Sequence, residues 1–348
     1  MIESSVKAPN VRLLGRMDLE QEPVCLDWTG SGFMVNLKGT QLWAELEAPV
    51  QQPDMWVCAT VEGYPIARFP VQQGRHWYPL VCGMSAETSR IVTLMKETQP
   101  MPASPEATVI LHGIRYDGEL LELPQPKLRI EFVGDSLTSA EGSLAPKDND
   151  EWISIWFSAC ANYTHYAAQE LGAERRVLSQ SGYGVSWDWE LKTEGNMADG
   201  YRQIAGVLKG EAAEKRGCQK AYDFTSWKAD VVCVRLLTND IGAMRRAERV
   251  EELLPVLTGK VADFIKTIRE CNPQAKIVWI LPSSDRLPQI GINAVNRCLA
   301  EGIRDVSFFV MPDYTEADYG ARQHPNAAYN QRVGHMLADY LRSLVAKD

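Results

Sequence analysis

The first third of the chain is filled by short strand-like runs, at 32 to 38, 41 to 47, 56 to 61, 90 to 95 and 107 to 112, and in several of them apolar and polar residues alternate. They are rich in Val, Ile, Trp, Phe and Thr and are separated by turn residues. A period of two puts every second side chain on one face of a strand, so this part is predicted to be an all-β sandwich with one face of each sheet buried. From Trp152 the period changes. Helical runs over 152 to 171, 199 to 216, 247 to 270 and 326 to 346 alternate with apolar strands at 128 to 133, 175 to 179, 230 to 237, 276 to 281 and 306 to 311. That is the rhythm of an open parallel sheet flanked by helices, an α/β domain. Between the two lies Glu122-Leu-Pro-Gln-Pro-Lys127, whose prolines favour a stiff, extended connector. The expected organisation is a sandwich over 1 to 121, a connector over 122 to 127 and an α/β domain over 128 to 348.

The candidate chemistry sits where α/β strands end. The strand at 128 to 133 runs into Gly134-Asp135-Ser136; ligands of such sheets bind outside the carboxyl ends of the strands, so Ser136 faces a crevice. If a helix follows, the Ser136 N–H lies at its positive end and can donate to an oxyanion, and Gly134 suits the strained backbone of a sharp turn. A serine hydroxyl needs a base, and imidazole matches that work near neutral pH. Of the five histidines, His76 and His112 fall in the β-rich third and His165 and His335 inside predicted helices. His324 alone stands on a loop, ahead of a Pro-Asn helix start. Asn239 closes another apolar strand and can aim an amide N–H at developing charge. A third strand leads into Ser181-Gly182-Tyr183-Gly184, where a glycine N–H can do the same.

In this order, the four segments resemble the signature blocks of the SGNH or GDSL hydrolases over roughly residues 127 to 346. The resemblance implies Ser136 as nucleophile, His324 as base and an oxyanion hole of Ser136, Gly182 and Asn239, with Gly184 the alternative to Gly182. Two positions depart from the family pattern. Leu237 stands where a glycine is usual, and Ala321 replaces the aspartate expected three residues before the histidine. A triad aspartate holds the imidazole tautomer and stabilises the imidazolium. Without it, a main-chain carbonyl within 321 to 323 is expected to orient His324, leaving Asp313, Glu316 and Asp318 dispensable.

A β-sandwich ahead of an SGNH domain, with Gly15-Arg16, Trp28-Thr-Gly-Ser-Gly32, Gly39-Thr40 and Tyr222-Asp-Phe-x-x-Trp227 along the way, resembles carbohydrate esterase family 2. That likeness implies a jelly-roll-like, carbohydrate-binding-like sandwich. It also implies a Ser-His dyad in which a backbone carbonyl takes the aspartate's place, with activity as an O-acetylesterase of xylo-, manno- or glucose-based saccharides. Trp187 and Trp189, just past the glycine turn, are candidates to stack on a sugar ring, with core packing as the ordinary alternative. A lipid esterase or thioesterase on the same fold, and a saccharide-binding protein without activity, are the rival classes.

Composition narrows the setting. A net charge of -9 and a pI near 5.3 argue against a nucleic-acid partner. The first residues lack an apolar leader and no stretch approaches a membrane span, so a cytoplasmic protein meeting imported acetylated oligosaccharides is expected. Eight cysteines form no C-x-x-C pair and read as buried free thiols. No metal-ligand spacing is apparent and acyl transfer needs no cofactor, so neither metal nor cofactor is expected. The oligomeric state is not encoded legibly.

Overall fold

The computed structural model describes residues 1–281 and 287–346, so the last two residues of the expected α/β domain lie outside it. Before residue 122 the strands are β1 (Ile2–Ser4), β2 (Val11–Leu14), β3 (Val24–Leu26), β4 (Gly32–Lys38), β5 (Gln41–Ala48), β6 (Met55–Val61), β7 (Tyr64–Val71), β8 (Gly74–Cys82), β9 (Arg90–Lys96), β10 (Val109–Tyr116) and β11 (Glu119–Leu121). They pair antiparallel into two sheets, one ordered β1-β10-β5-β8 with β3 beside β10, the other β11-β4-β9-β6-β7 with β2 beside β4. The alternation along β5 becomes burial: Leu42, Ala44, Leu46 and Ala48 are inside, the residues between them half-buried. Inward residues of both sheets, among them Leu46 and Leu111 from one and Phe33, Val57 and Leu94 from the other, share one core.

Besides the short β1, β2, β3 and β11, the strands outside those runs are β7 and β8, which Pro65, Pro70 and Pro79 interrupt. Both are edge strands, where a missing N–H costs least. Pro79 also adjoins a shift of register opposite Leu42 and Trp43, so it sits at a bulge.

The second half is built on a parallel sheet of β12 (Leu128–Gly134), β13 (Ala173–Ser179), β14 (Val231–Arg235), β15 (Lys276–Leu281) and β16 (Val306–Val310), in the order β13-β12-β14-β15-β16. Helices α1 (Tyr163–Leu171) and α6 (Ala327–Val345) cover one face, meeting Ile130 and Phe132. Helices α4 (Val250–Cys271) and α5 (Gln289–Ala300) cover the other, meeting Val133 and Trp279. The chain leaves β12 for one neighbour, then returns to the other side of it for β14. The carboxyl end of β12 is therefore the topological switch point, the place where such sheets open a crevice, and Ser136 follows it directly. No described helix is long and apolar enough to cross a membrane.

Two predicted helices are mostly absent. Over 152 to 171 only α1 is α-helical, capped at Asn162 by its side chain. Over 199 to 216 only Glu211–Lys215 is helical. The carbonyls that a helix would need there accept bonds from the sandwich instead: Arg16 Nη1 donates to Tyr201 O at 2.5 Å and Gln203 O at 3.0 Å, and Trp28 Nε1 to Ile204 O at 2.8 Å. Gly200 and Gly206 pack so closely that a Cβ on Gly206 would lie 2.6 Å from the Gly200 Cα. Sequence periodicity did not reveal a helix at Thr238–Arg246, or the one at Gln289–Ala300.

Arg16 also explains two of the sequence marks quoted above. Its fully buried guanidinium pairs with Glu131 on β12 at 2.9 Å and lies 4.3 Å from the Tyr222 ring and 4.9 Å from the Phe224 ring. Gly15-Arg16 and Tyr222-Asp-Phe are thus two sides of one contact that locks the sandwich to the sheet. Removing one partner of a buried ion pair leaves the other charge uncompensated, which makes such a contact hard to lose.

Candidate active site

The turn after β12 is held by Asp135. Its carboxylate accepts the Leu137 N–H at 3.1 Å and faces Arg235 Nη1 at 3.6 Å, both side chains buried. No α-helix follows; residues 136 to 144 continue as turns, with Glu141 N–H donating to Ser136 O at 3.0 Å. The glycine before Asp135 is required for space: a Cβ on Gly134 would lie 2.0 Å from Thr138 Oγ1. Its φ is not in the left-handed region, so the strained-turn expectation gives way to close packing. The Ser136 N–H donates to no group among the described residues.

Gly182 and Gly184 separate clearly. Gly182 has φ +81° and lines a cavity of about 940 Å³ together with Ser136, Asn239 and His324, and its N–H, like that of Ser136, has no acceptor among the described residues. Gly184 is buried beneath it, and a Cβ there would meet the Asp240 carboxylate at 2.2 Å. Asp240 accepts the N–H groups of Val185, Ser186 and Trp187 at 2.9, 2.9 and 3.2 Å, pinning the loop that carries Gly182. Burial pushes the Asp240 carboxyl up to about 6 against those three donors.

Asn239 stands in the first turn of the helix Thr238–Arg246. Its Nδ2 donates to Tyr183 O at 2.9 Å, which fixes the amide and leaves a second hydrogen for the cavity. Leu237, at the family's glycine position, takes φ +96° and ψ −23° with its side chain fully buried. The backbone keeps a glycine-like turn at a strain of order 1–3 kcal/mol, offset by burial of the leucine in the core.

His324 follows two left-handed residues, Arg322 at φ +53° and Gln323 at +58°. The segment is clamped by Ala321, whose N–H donates to Gly142 O at 3.1 Å and whose carbonyl accepts the His324 N–H at 3.0 Å. The expected carbonyl of residues 321 to 323 does not meet His324 Nδ1: that atom is buried with no hydrogen-bond partner among the described residues. The upstream carboxylates do not supply one. Asp313 and Glu316 are exposed, and Asp318 is occupied by Thr315 and Arg332. A carboxylate that does approach is buried Glu141, with Oε2 4.0 Å from His324 Nε2 and Oε1 2.5 Å from Arg322 Nη1.

Glu141 was not singled out from the sequence, though an acidic residue in the small and apolar run 137 to 145 was a readable signal. Trp152 was also missed; it lies 39% exposed on the cavity, as does Trp189 at 53%. Trp187 does not line the cavity. It packs against the large core, because Asp240 draws its backbone inward. The other histidines stay apart from the cavity, and burial holds His165 down at about 3.

The sandwich contributes to the same cavity through Pro53, Gln99 and Met101 to Ser104. Elsewhere, Cys58, Glu97 and Cys160 bring potential ligand atoms within 4.8 Å of one another, which spacing alone did not foretell. Both Glu97 oxygens are engaged, by Arg68 Nε at 2.7 Å and by the Cys160 N–H at 3.2 Å, and the neighbouring Cys58 thiol and burial hold the Cys160 thiol well above its ordinary range. These features favour packing beside Met95 over ion binding.

No family model matches the chain. An acetyl xylan esterase from the rumen bacterium Butyrivibrio proteoclasticus superposes with a TM-score of 0.94 at 30% identity, over 99% of this chain and 100% of that one. A cellulase/esterase of Acetivibrio thermocellus is 25% identical over 356 residues, 96% of this chain and 39% of that protein. An acetylxylan esterase / glucomannan deacetylase of Cellvibrio japonicus is 24% identical over 231 residues, 64% of this chain and 61% of that protein. The chain thus spans less than two thirds of the length of both curated relatives. With its full-length likeness to the rumen enzyme, and with its serine, glycine, asparagine and histidine segments gathered on one cavity, the chain belongs to carbohydrate esterase family 2.

Proposed function

We propose that the protein is a serine esterase that removes O-acetyl groups from acetylated manno- or xylo-oligosaccharides. The observation that carries this reading is the convergence on one cavity of Ser136, His324, the Asn239 amide and two backbone N–H groups, of Ser136 and Gly182, that have no acceptor among the described residues.

His324 takes the Ser136 proton as Oγ attacks the acetyl carbonyl. The carbonyl oxygen becomes an oxyanion, and the Ser136 N–H, Gly182 N–H and Asn239 Nδ2 stabilise it. His324 then protonates the departing sugar hydroxyl. Water, deprotonated by the same imidazole, attacks the acetyl-serine, and the imidazolium returns a proton to Ser136 Oγ as acetate leaves.

Trp189 and Trp152 offer flat aromatic faces at the mouth, suited to a sugar ring. The remaining wall mixes apolar Pro53, Met101, Leu137 and Ile241 with polar and cationic Gln99, Gln323, Arg246 and Arg322, a lining better suited to a saccharide than to a long acyl chain. The named activities of the relatives support the same class. The test is acetate release, followed by mass spectrometry, from acetylated manno- and xylo-oligosaccharides, alongside hydrolysis of acetyl and octanoyl esters of p-nitrophenol. Loss of acetyl mass from the saccharides, with acetyl ester turned over at least about tenfold faster than octanoyl, is expected for a site whose barrier differs by ~1.4 kcal/mol or more between the two. Preference for octanoyl ester would make the protein a lipid esterase.

A further inference from the structure

Gln99 belongs to the sandwich half, three residues beyond the end of β9, yet its side chain ends in the catalytic cavity. It is 3% exposed. Its Oε1 accepts the Ser181 N–H at 2.8 Å and lies 2.7 Å from Ser181 Oγ, whose one hydrogen is shared with Glu141 Oε2. Lys96, fully buried, holds the Gln99 carbonyl at 2.8 Å and ties the same Nζ to Asp27 O and Thr98 O. The glutamine is therefore anchored at its backbone before it reaches across.

Ser181 immediately precedes Gly182, and the peptide that carries the Gly182 N–H begins at the Ser181 carbonyl. Gly182 sits at φ +81°, and a glycine has few conformational restraints of its own. What fixes that peptide is the hold on its two neighbours. Gln180 Nε2 donates to Ser181 O at 3.3 Å, Trp189 N–H donates to Gly182 O at 2.9 Å, and Gln99 holds Ser181 by its N–H, with the hydroxyl oxygen close beside. Ser181 Oγ–H also lies against Glu141 Oε2, whose other oxygen holds Arg322 two residues before His324. One short chain of contacts, Gln99 to Ser181 to Glu141 to Arg322, therefore touches the glycine loop, the serine turn and the histidine segment.

We propose that Gln99 is a positioning residue supplied by the sandwich: acting through Ser181, it aims the Gly182 N–H at the oxyanion, so the hydrolase half is catalytically incomplete without the sandwich. This rests on the oxyanion role proposed for Gly182. Misplacing a group by about 1 Å costs up to roughly a hundredfold in rate, less than deleting a donor outright.

The test uses the full chain with p-nitrophenyl acetate and compares wild type, Gln99→Met, Gln99→Ala and Ser136→Ala, with thermal melts to establish folding. Gln99→Met preserves side-chain bulk and removes only the acceptor. Both Gln99 variants are expected to lose about ten- to a hundredfold in kcat with KM within about threefold, the signature of an interaction felt in the transition state. A raised KM at normal kcat would make Gln99 a substrate-binding group and overturn the proposal, as would wild-type kinetics in both folded variants. If wild-type turnover survives Ser136→Ala, the reading of the whole site fails; if Ser136→Ala is inactive while the Gln99 variants are normal, only the positioning role fails.

Discussion

Ser136→Ala and His324→Ala are each expected to remove nearly all esterase activity from a protein that still folds. Ser136 stands on a cavity wall and alanine takes away one hydroxyl, while the turn around it is held by Asp135, Thr138 and Glu141 through bonds that the substitution leaves in place. His324 likewise leaves its segment anchored through the backbone of Ala321 and Arg322. A nucleophile and its base act as a unit, so each loss should approach the combined loss, on the order of 10⁴–10⁶ in kcat. A folded variant of either kind that kept more than about a tenth of wild-type kcat would show that the wrong residue had been named.

The second large effect is expected at Asn239. Asn239→Ala removes the one side-chain donor of the proposed oxyanion hole, and kcat should fall about 10²–10³-fold with KM for an acetyl ester nearly unchanged. The same substitution frees Tyr183 O, so part of the fall would come from a looser glycine loop. Asp240 limits that contribution, because its three bonds to residues 185 to 187 do not involve Asn239. Steady-state kinetics decide the matter: normal kcat with raised KM would turn Asn239 into a substrate-binding residue.

That Ser136, Asn239 and His324 would line one cavity was legible because each is announced locally, by a strand end or by a loop ahead of a helix. The choice of Gly182 over Gly184 was not, since it depends on where the Asp240 carboxylate lies, and that is set by a helix more than fifty residues away. The same carboxylate separates Trp187 from Trp189, two residues that look alike in sequence. Residues 199 to 210 carry helix-like spacing but spend their carbonyls on Arg16 and Trp28, a tertiary override of local preference. Gln99 could not be found from local pattern at all: it belongs to the sandwich and acquires meaning only where that half meets the sheet.

The missing aspartate has a structural answer different from the expected one. No carbonyl of residues 321 to 323 bonds His324 Nδ1, and the carbonyl of Ala321 is already spent on the His324 N–H. The segment is instead shaped by its backbone, with Arg322 tied to Glu141. Glu141 Oε2 lies 4.0 Å from His324 Nε2.

Covalent trapping tests most directly whether Ser136 is the nucleophile. The folded protein would be treated with a phosphonofluoridate ester, digested and mapped by tandem mass spectrometry as activity decays. A single adduct on Ser136 that grows in step with inactivation is expected. An adduct on Ser181 or Ser104, which also line the cavity, or full inactivation with Ser136 unmodified, would contradict that role.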